Sequence, residues 1–256
     1  MFICDVFTYF FGFFPYLQTK KLFIHKFPIK NMIKKRELIP IIISIIIITL
    51  LLMFNDSKLE LTKSLFISSL IISALIILVS VFSKKITSKI IDVKTEIQTW
   101  EFKRYWFATK SELKKPLPIG IFLSLLLGFL SGGFVKFLAL LQFKSEALPS
   151  KLAKKFGARR FSAIMDWDEA LIAFYSTVAI LILAIIAKII YANLTINSNL
   201  LTSSIFFDLA KFSFYYCCYN LIPFSILDGS KIFYGSRPLY VFTLFLLLVT
   251  GLLVFL

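Results

Sequence analysis

Histidine is nearly absent from this sequence, and charge is scarce. His25 is the one histidine in 256 residues, so a site built from two imidazoles is excluded. Three cysteines, with Cys217 and Cys218 adjacent inside an apolar block, make no disulfide framework. Only 17% of residues are charged, against the quarter or so usual for a soluble domain. Acidic residues are the rarer sign, 14 against 29 Lys and Arg, a net charge of +15. The apolar residues, 59% of the chain, fall in long unbroken blocks. Such blocks indicate lipid rather than one large water-soluble core.

Five blocks read as membrane spans of about 20 residues: 38–54, 64–82, 170–191, 202–226 and 238–256. The sequence therefore predicts an all-α, polytopic transmembrane helical bundle of about five or six spans, plus a re-entrant hairpin in a further block, 118–143. That block is interrupted by Ser131, Gly132 and Gly133. Its two arms are too short to span as straight helices. Basic stretches flank it on both sides, Lys84 to Lys115 before and Lys144 to Arg160 after. A chain that enters and leaves on one face is a re-entrant hairpin turning at Ser131-Gly132-Gly133. One long tilted helix with two glycines is the alternative.

Lys and Arg collect on the cytoplasmic side of membrane proteins. Along the chain the connections read basic, neutral, basic, basic, neutral, basic. This predicts a multi-pass protein of the cell membrane with its basic loops cytoplasmic. Residues 1–37 form a separate region. Met1 to Leu17 is rich in Phe and Tyr, and lacks the basic start and small-residue cleavage site of a signal peptide. It reads as an interfacial segment followed by a basic patch attracted to anionic lipid. The bilayer accounts for the positive charge without a nucleic-acid partner.

The sharpest local feature is Asn220-Leu221-Ile222-Pro223-Phe224-Ser225-Ile226-Leu227-Asp228-Gly229. An apolar helix breaks at a proline near the basic face and then presents a carboxylate. A carboxylate at membrane depth marks a functional site. An interfacial Asp-Gly turn is the ordinary reading. Asp208 and Lys211 lie three apart and share a helix face. They mark either an internal polar site or a snorkelling pair near the neutral face. Cys217 and Cys218 read as packing residues, and Asn193-Leu194-Thr195 fits a glycosylation acceptor pattern that is common by chance.

The run Asn220, Pro223, Leu227, Asp228 and Gly229, continuing into Ser230-Lys231-Ile232-Phe233, resembles the second motif of the site-2 proteases, in particular their archaeal-type membrane members. Trp100-Glu101-Phe102-Lys103, the Ser131-Gly132-Gly133 segment and Asp166-Trp167-Asp168-Glu169 follow in the order that family shows. The resemblance covers roughly residues 38 to 250. It implies a site-2 protease-like core, an intramembrane zinc metallopeptidase in which Asp228 is a zinc ligand on the cytoplasmic side.

The first motif of that family, His-Glu-x-x-His, has no counterpart. The matching window is Ser83-Lys84-Lys85-Ile86-Thr87-Ser88-Lys89, and a second, Ser145-Glu146-Ala147-Leu148-Pro149, has no histidine either. A protonated lysine has no lone pair for a metal. A later small-Gly-Pro-x-x-Asn pattern is replaced by Ala173-Phe174-Tyr175-Ser176-Thr177-Val178. The expectation is a catalytically inactive relative with no cofactor, which binds or regulates a membrane protein or transmembrane peptide. An active metallopeptidase holding its metal through Asp228 and unconventional ligands, and a small-solute or ion transporter, are the alternatives.

Overall fold

The structure is a computed structural model that describes residues 35–55, 58–59, 63–91, 93–104, 112–147, 166–196, 200–224 and 226–256. The interfacial segment 1–17, His25 and most of the basic N-terminal stretch lie outside the described residues, as do Lys151 to Arg160 and Ser225.

The protein is mostly helical. Helices α1 (Lys35–Met53) and α2 (Lys63–Ile90) flank a short antiparallel pair, β1 (Phe54–Asn55) with β2 (Lys58–Leu59). Strands β3 (Val93–Thr99), β4 (Phe102–Arg104) and β5 (Glu112–Leu117) follow, then helix α3 (Ile119–Leu130) and strand β6 (Leu141–Ala147). Helices α4 (Asp166–Ile196), α5 (Leu200–Leu221), α6 (Asp228–Gly235) and α7 (Arg237–Phe255) complete the chain. Among the described residues, α1, α2, α4 and α7 are long and apolar enough to cross a membrane, which marks a membrane-embedded protein. Helix α5 has the length but carries Asp208, Lys211 and Asn220, and is not among those four.

Helix alone was expected, and the strands correct that. Strand β3 pairs antiparallel with β6 from Val93↔Ala147 to Thr99↔Leu141. Its sequence, Val-Lys-Thr-Glu-Ile-Gln-Thr, alternates β-branched and polar residues. Val93, Thr95, Ile97 and Thr99 are all buried, as the period of two requires. Strand β4 pairs with β5.

The block 118–143 is helical only in its first arm. Ser131, Gly132 and Gly133 turn the chain, with φ of +61° at Gly132 and +89° at Gly133. A Cβ on Gly133 would meet the Phe54 carbonyl oxygen at 2.7 Å, so glycine is needed there for space as well as conformation. The chain returns extended into β6. Trp100 fastens the base: its N–H donates to Leu140 O (2.8 Å), and its carbonyl accepts from Gly120 (3.0 Å).

Helix α4 is the central element, packed against α2, α5, α6 and α7. A core of Val93, Phe143, Ile172, Ala173, Phe174, Leu221 and Ile232 joins α4 to the β3–β6 sheet, the end of α5 and α6.

A buried ion-pair site at the start of α6

Helix α2 continues to Ile90, eight residues beyond the expected end of its span at Phe82. Lys84 and Lys85, read above as part of a basic loop, are therefore helical, and both are buried. The correction has a physical cause. A lysine can be buried when a carboxylate meets it, and each of these two has one.

Lys84 Nζ lies 2.7 Å from Asp228 Oδ2, with side-chain exposures of only 3% and 4%. Lys85 Nζ lies 2.7 Å from Glu37 Oε1 and also donates to Thr95 O at 2.6 Å. The two neighbouring lysines thus tie α2 to α6 on one side and to α1 and β3 on the other.

Asp228 is held by local structure as much as by Lys84. Leu227 is the extended residue before α6, and Asp228 occupies the helix's first turn, where a carboxylate favours the positive end of the helix dipole. Gly229 admits the close approach this needs. A Cβ there would stand 2.1 Å from Leu221 O, at the end of α5. The Asp-Gly pair is therefore a packing junction between two helices, with neither residue in a left-handed turn. Leu227 is buried against Trp100, Phe137 and Ala139. Asn220 is buried near the end of α5 and donates to Tyr216 O (3.0 Å), while Pro223 lies exposed in the break between α5 and α6.

Polar groups continue from this pair into the bundle. Tyr216 donates to Ser80 Oγ (3.2 Å), one turn before Lys84 on α2, and Ser80 Oγ lies 3.5 Å from Ser176 Oγ on α4. Asp228 Oδ1 and Asn220 Oδ1 are buried and have no hydrogen-bond partner among the described residues. Cys217 is buried beside this group, with its thiol 3.8 Å from Thr177 O.

A second cation closes the outer side. Lys231, one turn after Asp228, donates to Phe143 O, sits 3.4 Å from the centre of the Phe143 ring and pairs with Glu169 Oε2 at 3.4 Å. Lys84 stands 5.3 Å from the centre of the same ring. Glu169 also accepts from Ser145, which ties the start of α4 to β6. Burial pushes the Lys231 ammonium below its ordinary lysine value, against the opposing pull of Glu169 and Asp228.

Among the described residues, those around Asp228 do not offer a set of zinc ligands. One oxygen of Asp228, Oδ2, faces the Lys84 ammonium at hydrogen-bond distance, and an ammonium offers donors only. Among the described residues no three His, Cys, Asp or Glu side chains come together. The sequence marks Asp228 and places Lys84 in the window of the missing first motif, but does not show that the two meet. The signal that could have joined them is that Ser80, Lys84 and Thr87 follow the helical spacing of α2. No family model, curated protein or solved structure matches this chain.

Proposed function

We propose that this is a multi-pass membrane protein on a site-2 protease-like core that does not cut peptides and instead engages a membrane partner, a protein or a transmembrane peptide. The Lys84–Asp228 pair is the observation that carries the reading. In the family this sequence resembles, a dication would stand at the carboxylate. Here the chain supplies its own cation from α2. One buried positive charge neutralises the aspartate and joins two helices, without an electrophile or an activated water. In this reading Asp228 and the basic loops face the cytoplasm, and a partner is met by the retained fold rather than by chemistry.

Elemental analysis of the full chain, purified in mild detergent, tests this. The expected result is zinc far below one per chain, with one membrane protein co-purifying in constant ratio. One tightly held zinc per chain that disappears in Asp228→Ala would overturn the proposal.

A further inference from the structure

Aromatic and basic residues gather at both ends of α4. At its start Trp167 is exposed, and the end of α6 packs against the same turn. A Cβ on Gly235 would meet Asp166 O and the Ala170 β-carbon, each at 2.5 Å, so the two helices touch closely there. That contact brings Tyr234, 76% exposed, to the same end of the bundle as Trp167. Arg237, also exposed, opens α7 beside them. At the far end of α4, Lys188 Nζ donates to Val254 O (2.7 Å) in the last turn of α7. It stands 5.7 Å from the centre of the Tyr191 ring and 5.6 Å from that of Phe207.

The spacing of these two levels is that of a bilayer. From Trp167 to Lys188, α4 rises about 32 Å, close to the roughly 30 Å of a hydrocarbon core. Between the levels α7 turns an apolar face outward. Val241, Phe245, Leu248 and Leu252 recur at helical spacing, and all four are exposed. Lys84 and Lys85 stand deeper than Trp167, since Ser83 before them donates to Tyr175 O, two turns further into α4. Each of them meets a carboxylate, as a charge below the interface must.

We propose that these levels are the two faces of the bilayer. Trp167, Tyr234 and Arg237 lie in one phospholipid headgroup layer, Lys188 and Tyr191 lie in the other, and acyl chains cover the α7 face between them. Each side chain suits its place. Indole and phenol rings are amphipathic and settle at the interface. The Arg237 guanidinium meets lipid phosphate. Lys188 buries its stem and turns its ammonium to a last-turn carbonyl. The assignment goes beyond the proposed function and does not rest on it. It names the surface that lipid covers, which a membrane partner docking there has to displace.

The test reconstitutes the full chain in phosphatidylcholine vesicles and reads quenching of tryptophan fluorescence. The lipids carry bromine either near the top of the acyl chain or near its end. The part of the wild-type quenching that Trp167→Phe removes should come mainly from the upper bromines. Trp167→Phe then serves as the background for an added tryptophan at each of three exposed positions, where packing is undisturbed. Tyr234→Trp and Ile189→Trp should be quenched most by the upper bromines. Leu248→Trp, about 16 Å along α7 from Arg237, should be quenched most by the lower ones. Four results would each overturn the assignment. They are a Trp167 component that comes mainly from the lower bromines, Tyr234→Trp quenched by neither (as beneath a partner protein or in open water), Ile189→Trp quenched most by the lower bromines, and Leu248→Trp quenched most by the upper.

Discussion

Lys84 on α2 and Asp228 at the start of α6 meet at 2.7 Å in a site closed to solvent, although they stand far apart in the sequence. Each charge is tolerable only because of the other. Removing one partner from such a pair costs about 3–5 kcal/mol, because the remaining charge is left buried alone. Asp228→Ala and Lys84→Ala should each fall in that range. Lys84→Met combined with Asp228→Leu should lose much less, since no charge is stranded. Thermal unfolding in detergent of the two single variants and the double variant checks this. A double variant as unstable as the sum of the singles would show that the two side chains do not act as a pair.

The neighbouring pair sets a ranking. Lys85 pairs with Glu37 and also holds the Thr95 carbonyl. Glu37→Ala leaves that second hydrogen bond in place, so it should cost less than Asp228→Ala. The same unfolding measurement compares them directly. The reverse order would mean that the α1–α2 tie dominates the assembly.

Much of the architecture was legible because lipid imposes a simple code. Long apolar runs became helices, and four that are both long and apolar enough to cross a membrane became α1, α2, α4 and α7. The glycines at 132 and 133 were legible as a break, since two residues without a side chain interrupt an otherwise bulky run. The strands were harder to see. Val93 to Thr99 alternates as a half-buried strand should, but it lies in a charged stretch that reads as a loop. Lys84 and Lys85 were misplaced for a related reason. A lysine after an apolar run ordinarily signals the membrane surface. Only its partner shows otherwise, and Glu37 and Asp228 lie in other elements. The sequence could mark Asp228 as costly, but not show what offsets the cost.

Gly229 makes a steric prediction. Any β-carbon there meets the Leu221 carbonyl at 2.1 Å, and backbone cannot yield as a side-chain tip can. Gly229→Ala should force α6 away from the end of α5 and cost about 1–3 kcal/mol, the range for overpacking a core. Gly251 on α7 provides the comparison. A Cβ there meets only the edge of the Phe214 ring, at 2.9 Å. Gly251→Ala should therefore be milder. Equal losses at both sites would remove the case for a tight α5–α6 junction.

Lys231 gives a dependence on pH. Burial lowers its ammonium below the ordinary 10.5, with Lys84 adding repulsion and Glu169 and Asp228 opposing. The folded protein therefore releases this proton first as pH rises. Between the lowered folded value and 10.5 the unfolded chain binds more protons, so Lys231's contribution to stability should increase with pH across that window. Below it the lysine is charged in both states, and its burial penalty is present in full. Lys231→Met abolishes the titration. The melting temperature of the wild type, minus that of Lys231→Met, should climb as pH rises from the lowered folded value towards 10.5. A difference that falls over that range would mean that the pull of Glu169 outweighs burial and that Lys231 is held as a stabilised cation.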